Sequence, residues 1–212
     1  MRTVFRFMAG PPCGCVLMNL RLPTVDFVER RNDMTSISSL LKIIPLILVL
    51  SGVVQAEQAF PVAGFSAARD LPGAPHSPDP NVEYKVVFDA VVTDDDLTDP
   101  YPMLRPIAVY LNTLAKFGVP AENRKISVVL HRGSGLIGLT NEAFKARHDG
   151  TDNPNIELIK KLHAAGVTFH LCGQGMLARG LERSDILEEI QVDYWALTTL
   201  IELGRQGYVQ IG

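Results

Sequence analysis

The sequence predicts an α/β fold, a three-layer sandwich built on a mostly parallel sheet of about five strands. Short runs of β-branched and aromatic residues recur along the chain, and segments with apolar residues at helical spacing stand between them. Glycine or proline separates most of these segments, as is usual at turns and helix ends. Strands that alternate with helices in this way form a parallel sheet with both faces covered.

The first elements of this pattern precede a glycine-rich loop. Residues 84–92 are β-branched, aromatic and apolar for the most part and predict the first strand, and the acidic run at 94–96 predicts a solvated turn. A helix begins near residues 102–106, because proline is tolerated in a first helical turn, and Gly118 ends it. The apolar residues 126–130 predict the second strand.

The second half of the pattern begins with the glycine-rich loop at residues 131–138 and a short helix over 139–148. Asn153 and Pro154 predict the cap and the first position of another helix, which Gly166 ends. The remaining predicted elements are a third strand at 167–171, a short helix at 174–181, a fourth strand at 190–195, a helix at 196–205 and a closing strand at 208–211.

The amino-terminal region has the features of a secretory leader. Nearly every residue from 40 to 54 is apolar, and Val54 and Ala56 occupy the positions that a signal peptidase inspects before cleavage at Glu57. The apolar run is well short of the ~20 residues that a membrane span needs. We therefore expect cleavage near Ala56, a periplasmic or secreted protein and no stable membrane span. A short membrane anchor is the alternative.

The cleavage point divides the chain into segments. Met34 would start a leader of ordinary length, so residues 1–33 are interpreted as an over-extended N-terminus and residues 34–56 as the signal peptide. Residues 57–82 are rich in proline and predict an extended arm, loose or laid over a neighbouring subunit. Residues 83–212 are long enough for one folded domain with a full core.

The composition after the cleavage point narrows the function classes. The first 56 residues hold six of the 20 Lys and Arg and three of the 23 Asp and Glu, so the remainder has a formal charge of −6. Nucleic-acid binding needs a concentrated basic surface and is not expected. Cys13 and Cys15 leave with the leader, so Cys172 has no partner for an internal disulfide.

Cys172 is predicted to be a reactive thiol. It follows the third strand and opens the turn Gly173-Gln174-Gly175, which leads into a helix. Open α/β sheets bind their ligands at this junction, and unpaired N–H groups at a helix start favour a thiolate. The glycines give the sulfur little steric cover. The alternative is that Cys172 is a small buried apolar residue and chemically inert.

His131 and Arg132 are candidates for the same cleft because they follow the second strand. Either side chain could stabilise a thiolate or hold an oxyanion such as thiosulfate. The alternative is that both are solvated loop residues. Arg179 lies further along the helix after Cys172 and is predicted to be a surface charge.

Two further patterns suggest a cofactor or a metal. Residues 133–138 match G-x-G-x-x-G, a pattern of dinucleotide sites, but they follow the second strand, and Glu157, the acidic residue at the expected spacing, falls inside a helix. A loop that lines the cleft and offers N–H groups to an anion is the better interpretation. His170 and Cys172 share a strand face, but no further ligands complete a metal set, so neither a metal nor a cofactor is expected.

Several segments together carry a family resemblance. They are, in chain order, YKVVF at 84–88, a second strand ending at His131, NPN at 153–155, VTFHLCGQ at 167–174, ALTTL at 196–200 and GYV at 207–209. In this order the chain resembles the DsrE/DsrF-like family of small sulfur-relay proteins over residues 83–212. The resemblance implies a flavodoxin-like or DsrE-like three-layer fold, a homotrimer or homohexamer, and a persulfide carried on Cys172.

The resulting hypothesis is a periplasmic, oligomeric, sulfur-binding or sulfurtransferase-like protein. Cys172 would be the catalytic residue, and the substrate or anion would contact His131, Arg132, Gly173 and Gln174. A sulfur-donor or acceptor protein, or a small thiol, would be the partner. The family's best-known relay members are cytoplasmic, so the leader is a departure from them. The alternatives are a non-catalytic oligomeric module that binds a small ligand or a protein and has an inert cysteine, and a nucleotide-binding oxidoreductase.

Overall fold

The computed structural model describes residues 59–92 and 98–212. The leader at 34–56, the preceding segment 1–33 and the acidic run at 94–96 lie outside these residues, and so do the first two residues of the arm. None of the helices formed by the described residues has the length and apolar character needed to cross a membrane.

The described residues form five strands and five α-helices. The strands are β1 (Tyr84–Val92), β2 (Arg124–Arg132), β3 (Thr168–Cys172), β4 (Ile190–Asp193) and β5 (Val209–Ile211). The helices are α1 (Leu104–Lys116), α2 (Asn141–Lys145), α3 (Ile156–Ala164), α4 (Gly173–Ala178) and α5 (Ala196–Arg205). The strands form one sheet in the order β4-β3-β2-β1-β5, and all four pairings are parallel. The predicted α/β class and the predicted sheet are confirmed.

The two faces of the sheet are covered by different helices, which produces the three layers. On one face, alternate strand residues such as Val128 and Leu130 join a large core with apolar residues of α1 and α3. On the other face, Val87, Val129 and Cys172 pack under α5. Side chains along a strand point to opposite faces in turn, so Cys172 belongs to the α5 layer and its neighbour Leu171 to the larger core.

Helix α1 shows how the sequence pattern specifies an element. Leu104, Ile107, Leu111 and Leu114 recur at helical spacing, and all four side chains are buried against the sheet. Gly118 adopts a φ of +80° just after the helix, a conformation that glycine accepts without steric cost.

The structure differs from the sequence prediction around the glycine-rich segment. Strand β2 continues through Arg132, because its polar end pairs with β1 as far as Val92. Residues Gly133–Gly138 form a 3₁₀ helix rather than an open loop. A Cβ atom on Gly138 would lie 2.7 Å from Ile190 Cδ1, so this segment packs tightly against the sheet. Gly135 and Gly138 therefore pack against side chains of the sheet, which accounts for two of the three glycines without a dinucleotide site.

Helix α3 begins at Ile156, two residues later than predicted. Asn153 nevertheless makes the type of bond expected of a cap, since its Oδ1 accepts a hydrogen bond from the backbone N–H of Asn155. Its side-chain amide also donates to the carbonyls of Ile137 and Leu139. Asn153 therefore connects the start of α3 to the 3₁₀ segment.

The described part of the proline-rich arm lies against α1 of its own chain. Buried Asn112 accepts a hydrogen bond from the backbone N–H of Val62 and donates to the carbonyls of Val62 and Phe65. Lys116 pairs with Asp70 at 2.6 Å. These contacts attach residues 62–70 of the arm to α1.

Candidate functional site

Cys172 lies where β3 ends and α4 begins, as the sequence predicts. Its side chain is buried, with 6% of its surface exposed, and its Sγ accepts a hydrogen bond of 3.4 Å from the backbone N–H of Ala196. Ala196 is the first residue of α5, so its N–H has no acceptor within that helix. The sulfur therefore lies at the amino end of α5, where the backbone dipoles favour negative charge.

Gly173 and Gln174 attach α4 to the neighbouring connection between β4 and α5. A Cβ atom on Gly173 would lie 2.6 Å from the carbonyl oxygen of Asp193, so the close approach of the two backbones requires glycine. Gln174 donates from Nε2 to the carbonyl of Tyr194 at 3.2 Å. Both residues thus take part in the packing around Cys172, and their contact with an anion stays a prediction.

A small cleft lies beside Cys172 at the carboxyl end of the sheet. Its volume is about 10 Å³, about the space of one water-sized sphere. The lining residues are Leu130, His131, Arg132, Gly135, Leu171, Cys172, Gly175, Met176, Arg179 and Leu181. The structure thus brings His131 and Arg132 to the same cleft as Cys172.

His131 is held by a carboxylate. Its Nε2 is hydrogen-bonded to Asp89 Oδ1 at 2.6 Å, and the other oxygen of Asp89 accepts a hydrogen bond from Gln210. This network links β1, β2 and β5 and orients the imidazole ring.

The charge of Asp89 also acts on Tyr101. Burial raises the pKa of Tyr101 above its ordinary value and the charge of Asp89 raises that pKa further, so the phenol stays neutral near neutral pH.

Arg132 has a strained backbone. Its φ is +56° and its ψ is −135°, in a region that side chains other than glycine rarely adopt. Such a conformation costs about 1–3 kcal/mol and is most often retained at functional sites. The side chain of Arg132 is exposed at the mouth of the cleft.

Arg179 also lines the cleft, and its side chain is half-buried, so this predicted surface charge lies next to the thiol. Gly175 and Arg179 are four residues apart, so they lie on the same side of the α4 segment, and Arg179 Nη1 donates to the carbonyl of Gly175. A Cβ atom on Gly175 would lie 3.8 Å from Arg179 Nη1 and 3.9 Å from Cys172 Sγ. The guanidinium and the thiol are therefore neighbours on either side of this glycine.

A second polar network fixes the position of α5. Asp193 Oδ2 is hydrogen-bonded to His170 Nδ1 at 2.9 Å and accepts a hydrogen bond from Thr199 at 2.8 Å. Thr199 belongs to α5, so this carboxylate ties the helix that contacts the sulfur to the sheet. His170 thus pairs with a carboxylate, and the described residues contain no group of three or more side chains that could hold a metal ion.

Comparison with known proteins identifies a family and a similar solved structure. Residues 106–211 match the sequence model of the DsrE/DsrF-like family, and this range includes Cys172, α4 and α5. The chain is 21% identical to a solved protein of unknown function, MTH1491 from Methanobacterium thermoautotrophicum, over 60% of this chain and 97% of that chain, with a TM-score of 0.43. No curated protein matches the chain.

Proposed function

Because the chain belongs to the DsrE/DsrF-like family, we propose that it is a sulfur-relay protein that carries sulfane sulfur as a persulfide on Cys172. The observation that carries this proposal is the hydrogen bond from Ala196 N–H to Cys172 Sγ. A donor at the amino end of a helix stabilises negative charge on sulfur. The free thiolate carries its charge on Sγ and the persulfide carries it on the outer sulfur, one bond further out, so both charges lie near the amino end of α5.

The proposed transfer consists of two displacements. In the first, the Cys172 thiolate attacks the outer sulfur of a donor persulfide; a new S–S bond forms, the donor's S–S bond breaks and the donor thiolate leaves with the electron pair. In the second, an acceptor thiolate attacks the outer sulfur on Cys172, and Cys172 leaves as a thiolate. No oxidant, reductant or cofactor is consumed in either step.

We further propose that the protein works as an oligomer. Monomeric proteins rarely expose large contiguous apolar surfaces. Leu197 and Ile201 lie four residues apart on one side of α5, and both are largely exposed. Other exposed apolar side chains near α5 and on β5 are Tyr194, Trp195, Val209 and Ile211. A homotrimer or homohexamer would cover this surface, and light scattering would measure the subunit number.

The periplasmic location is part of the proposal. It is supported by the apolar run at residues 40–54 and by Val54 and Ala56 before Glu57. Fractionation of cells that express the full chain, with sequencing of the mature N-terminus, tests it. A mature chain that starts near Glu57 in the periplasmic fraction is expected. Uncleaved protein in the cytoplasm would contradict it.

A second function remains in competition, a binding module with an inert cysteine. The low exposure of Cys172 and the small volume of its cleft favour it. A thiol with little room for an incoming sulfur donor behaves as a packing residue. The two functions differ in whether the native thiol reacts.

Intact mass spectrometry separates these functions. Wild-type protein and the Cys172→Ser variant are exposed briefly to polysulfide and then analysed with and without dithiothreitol. We expect the wild type alone to gain one sulfur atom, which dithiothreitol removes. If the wild type gains no sulfur and its native thiol resists alkylation until the protein is unfolded, the relay function is excluded and the binding module is favoured.

A further inference from the structure

A second cavity lies on the other side of Arg179. Its volume is about 270 Å³, and it is lined by Leu136, Arg147, His148 and Arg179. Arg179 also lines the cleft of Cys172, so the two cavities share this side chain. The lining residues include two arginines and one histidine, and none of them carries a carboxylate. The chemistry of this cavity therefore suits an anion.

His148 contributes an unpaired nitrogen to this region. Its ring stacks on Phe144 with a centroid distance of 4.0 Å and an interplanar angle of 25°. Its Nε2 is buried and has no hydrogen-bond partner among the residues that the structure describes. A buried nitrogen without a partner costs about 1–3 kcal/mol. An acceptor atom of a ligand that reaches this nitrogen would remove this cost.

Two guanidinium groups complete the cavity. Arg147 donates from Nη1 to the carbonyl of Ala143, and a guanidinium has further N–H donors in its planar fork. Arg179 donates to the carbonyl of Gly175 and makes another contact as well. Arginine forks match the oxygen atoms of tetrahedral oxyanions better than lysine does.

We propose that the cavity of Arg147, His148 and Arg179 binds the sulfonate end of a small dianionic sulfur oxoanion, and that thiosulfate is the sulfur donor held there. The donor assignment rests on the proposed persulfide function, whereas the anion site itself stands on the cavity alone. Arg179 lines both cavities, so an anion held by its guanidinium would be separated from the thiol cleft by this one side chain. The cationic cavity would also stabilise the dianion that leaves after sulfur transfer.

The transfer step from thiosulfate is balanced. The Cys172 thiolate attacks the sulfane sulfur, a new S–S bond forms on Cys172, and the S–S bond of thiosulfate breaks. Sulfite leaves with the electron pair of that bond. The total charge is unchanged, and no oxidant or reductant is needed.

Titration calorimetry with sulfate tests the site without any sulfur transfer. The wild type and the Cys172→Ser variant should bind sulfate equally in a chloride buffer of low ionic strength. Arg147→Gln and His148→Phe should each weaken binding about tenfold or more, because each removes a hydrogen bond to a charged ligand. His148→Phe keeps the ring that stacks on Phe144, so its fold should be retained. Arg105→Gln removes an exposed arginine on α1 and is the matched control.

The rate at which Cys172 takes up sulfur then distinguishes a failure of the anion site from a failure of the proposed persulfide function. With thiosulfate as donor, Arg147→Gln should load Cys172 about tenfold more slowly than the wild type, while loading from polysulfide should be unchanged. If sulfate binding is the same in the wild type, Arg147→Gln and His148→Phe, the anion site is refuted. If sulfate binds as expected but no donor loads Cys172, the site stands and the persulfide function fails.

Discussion

Gly173 and the carbonyl of Asp193 are in closer contact than any side chain at position 173 would allow. The Cβ atom of an alanine there would lie 2.6 Å from the carbonyl oxygen, and the atom it would meet is backbone, which has little freedom to move. Cys172 and Asp193 are also partners in the register of β3 and β4. This contact therefore fixes the start of α4 and the end of β4 around the thiol.

The first prediction concerns this contact. Gly173→Ala should lower the free energy of unfolding by about 1–3 kcal/mol, since overpacking forces the backbone to shift. Gly204→Ala is the matched control, because no atom lies within 4 Å of its added Cβ and α5 gains a better helix former. Chemical denaturation measures both variants. Equal stability of Gly173→Ala and the wild type would contradict the prediction.

The second prediction concerns access to the sulfur. In Gly175→Ala the added Cβ would stand 3.9 Å from Cys172 Sγ and 3.8 Å from Arg179 Nη1, both ordinary contact distances. The variant should fold with stability equal to or slightly above that of the wild type. Alkylation of the native thiol should slow several-fold because the methyl group covers the sulfur. An unchanged alkylation rate would show that reagents reach Cys172 from another side.

The third prediction concerns the link between α5 and the sheet. Thr199→Val keeps the shape of the side chain but removes the hydrogen bond to Asp193 Oδ2 and a longer one to the carbonyl of Trp195 at 3.2 Å. The loss should lower the free energy of unfolding by about 1 kcal/mol or more, because the acceptor is a partly buried carboxylate. Thr198→Val is the control, since Thr198 donates only to the carbonyl of Trp195 at the start of α5. If both variants lose the same stability, the Asp193 contact does not hold α5.

Much of the fold follows from local pattern. The predicted bounds of β1 and α5 coincide with those of the structure, because β-branched runs and helical spacing are local signals. The position of Cys172 between a strand and a helix follows from the same signals. The polar end of β2 is not evident from the sequence pattern, because its residues are held by pairing with β1 and not by apolar character.

The sequence alone predicts less about the contacts around the thiol. Ala196 is 24 residues from Cys172 along the chain, and only the parallel order of β3 and β4 brings the start of α5 to the sulfur. The spacing of Gly175 and Arg179 could have indicated that they share a helix face. The sequence does not show that this face borders a cleft, so the spacing alone assigns no role to Arg179. Both contacts depend on how segments that are distant along the chain are placed in the fold, and local sequence patterns do not specify this placement.

The last prediction concerns the strained backbone of Arg132. Glycine adopts a φ of +56° without the steric cost that arginine bears. The free energy of unfolding of Arg132→Gly should therefore equal that of the wild type or exceed it by about 1 kcal/mol. The relief of backbone strain offsets the greater conformational freedom of glycine in the unfolded chain. It should also slow the loading of Cys172 with sulfur, because a cation leaves the mouth of the cleft. Arg132→Lys keeps both the strain and the charge and should resemble the wild type in both measurements. If Arg132→Gly is less stable than the wild type, or loads sulfur as fast, the strain at this position is not maintained for the sake of the cleft.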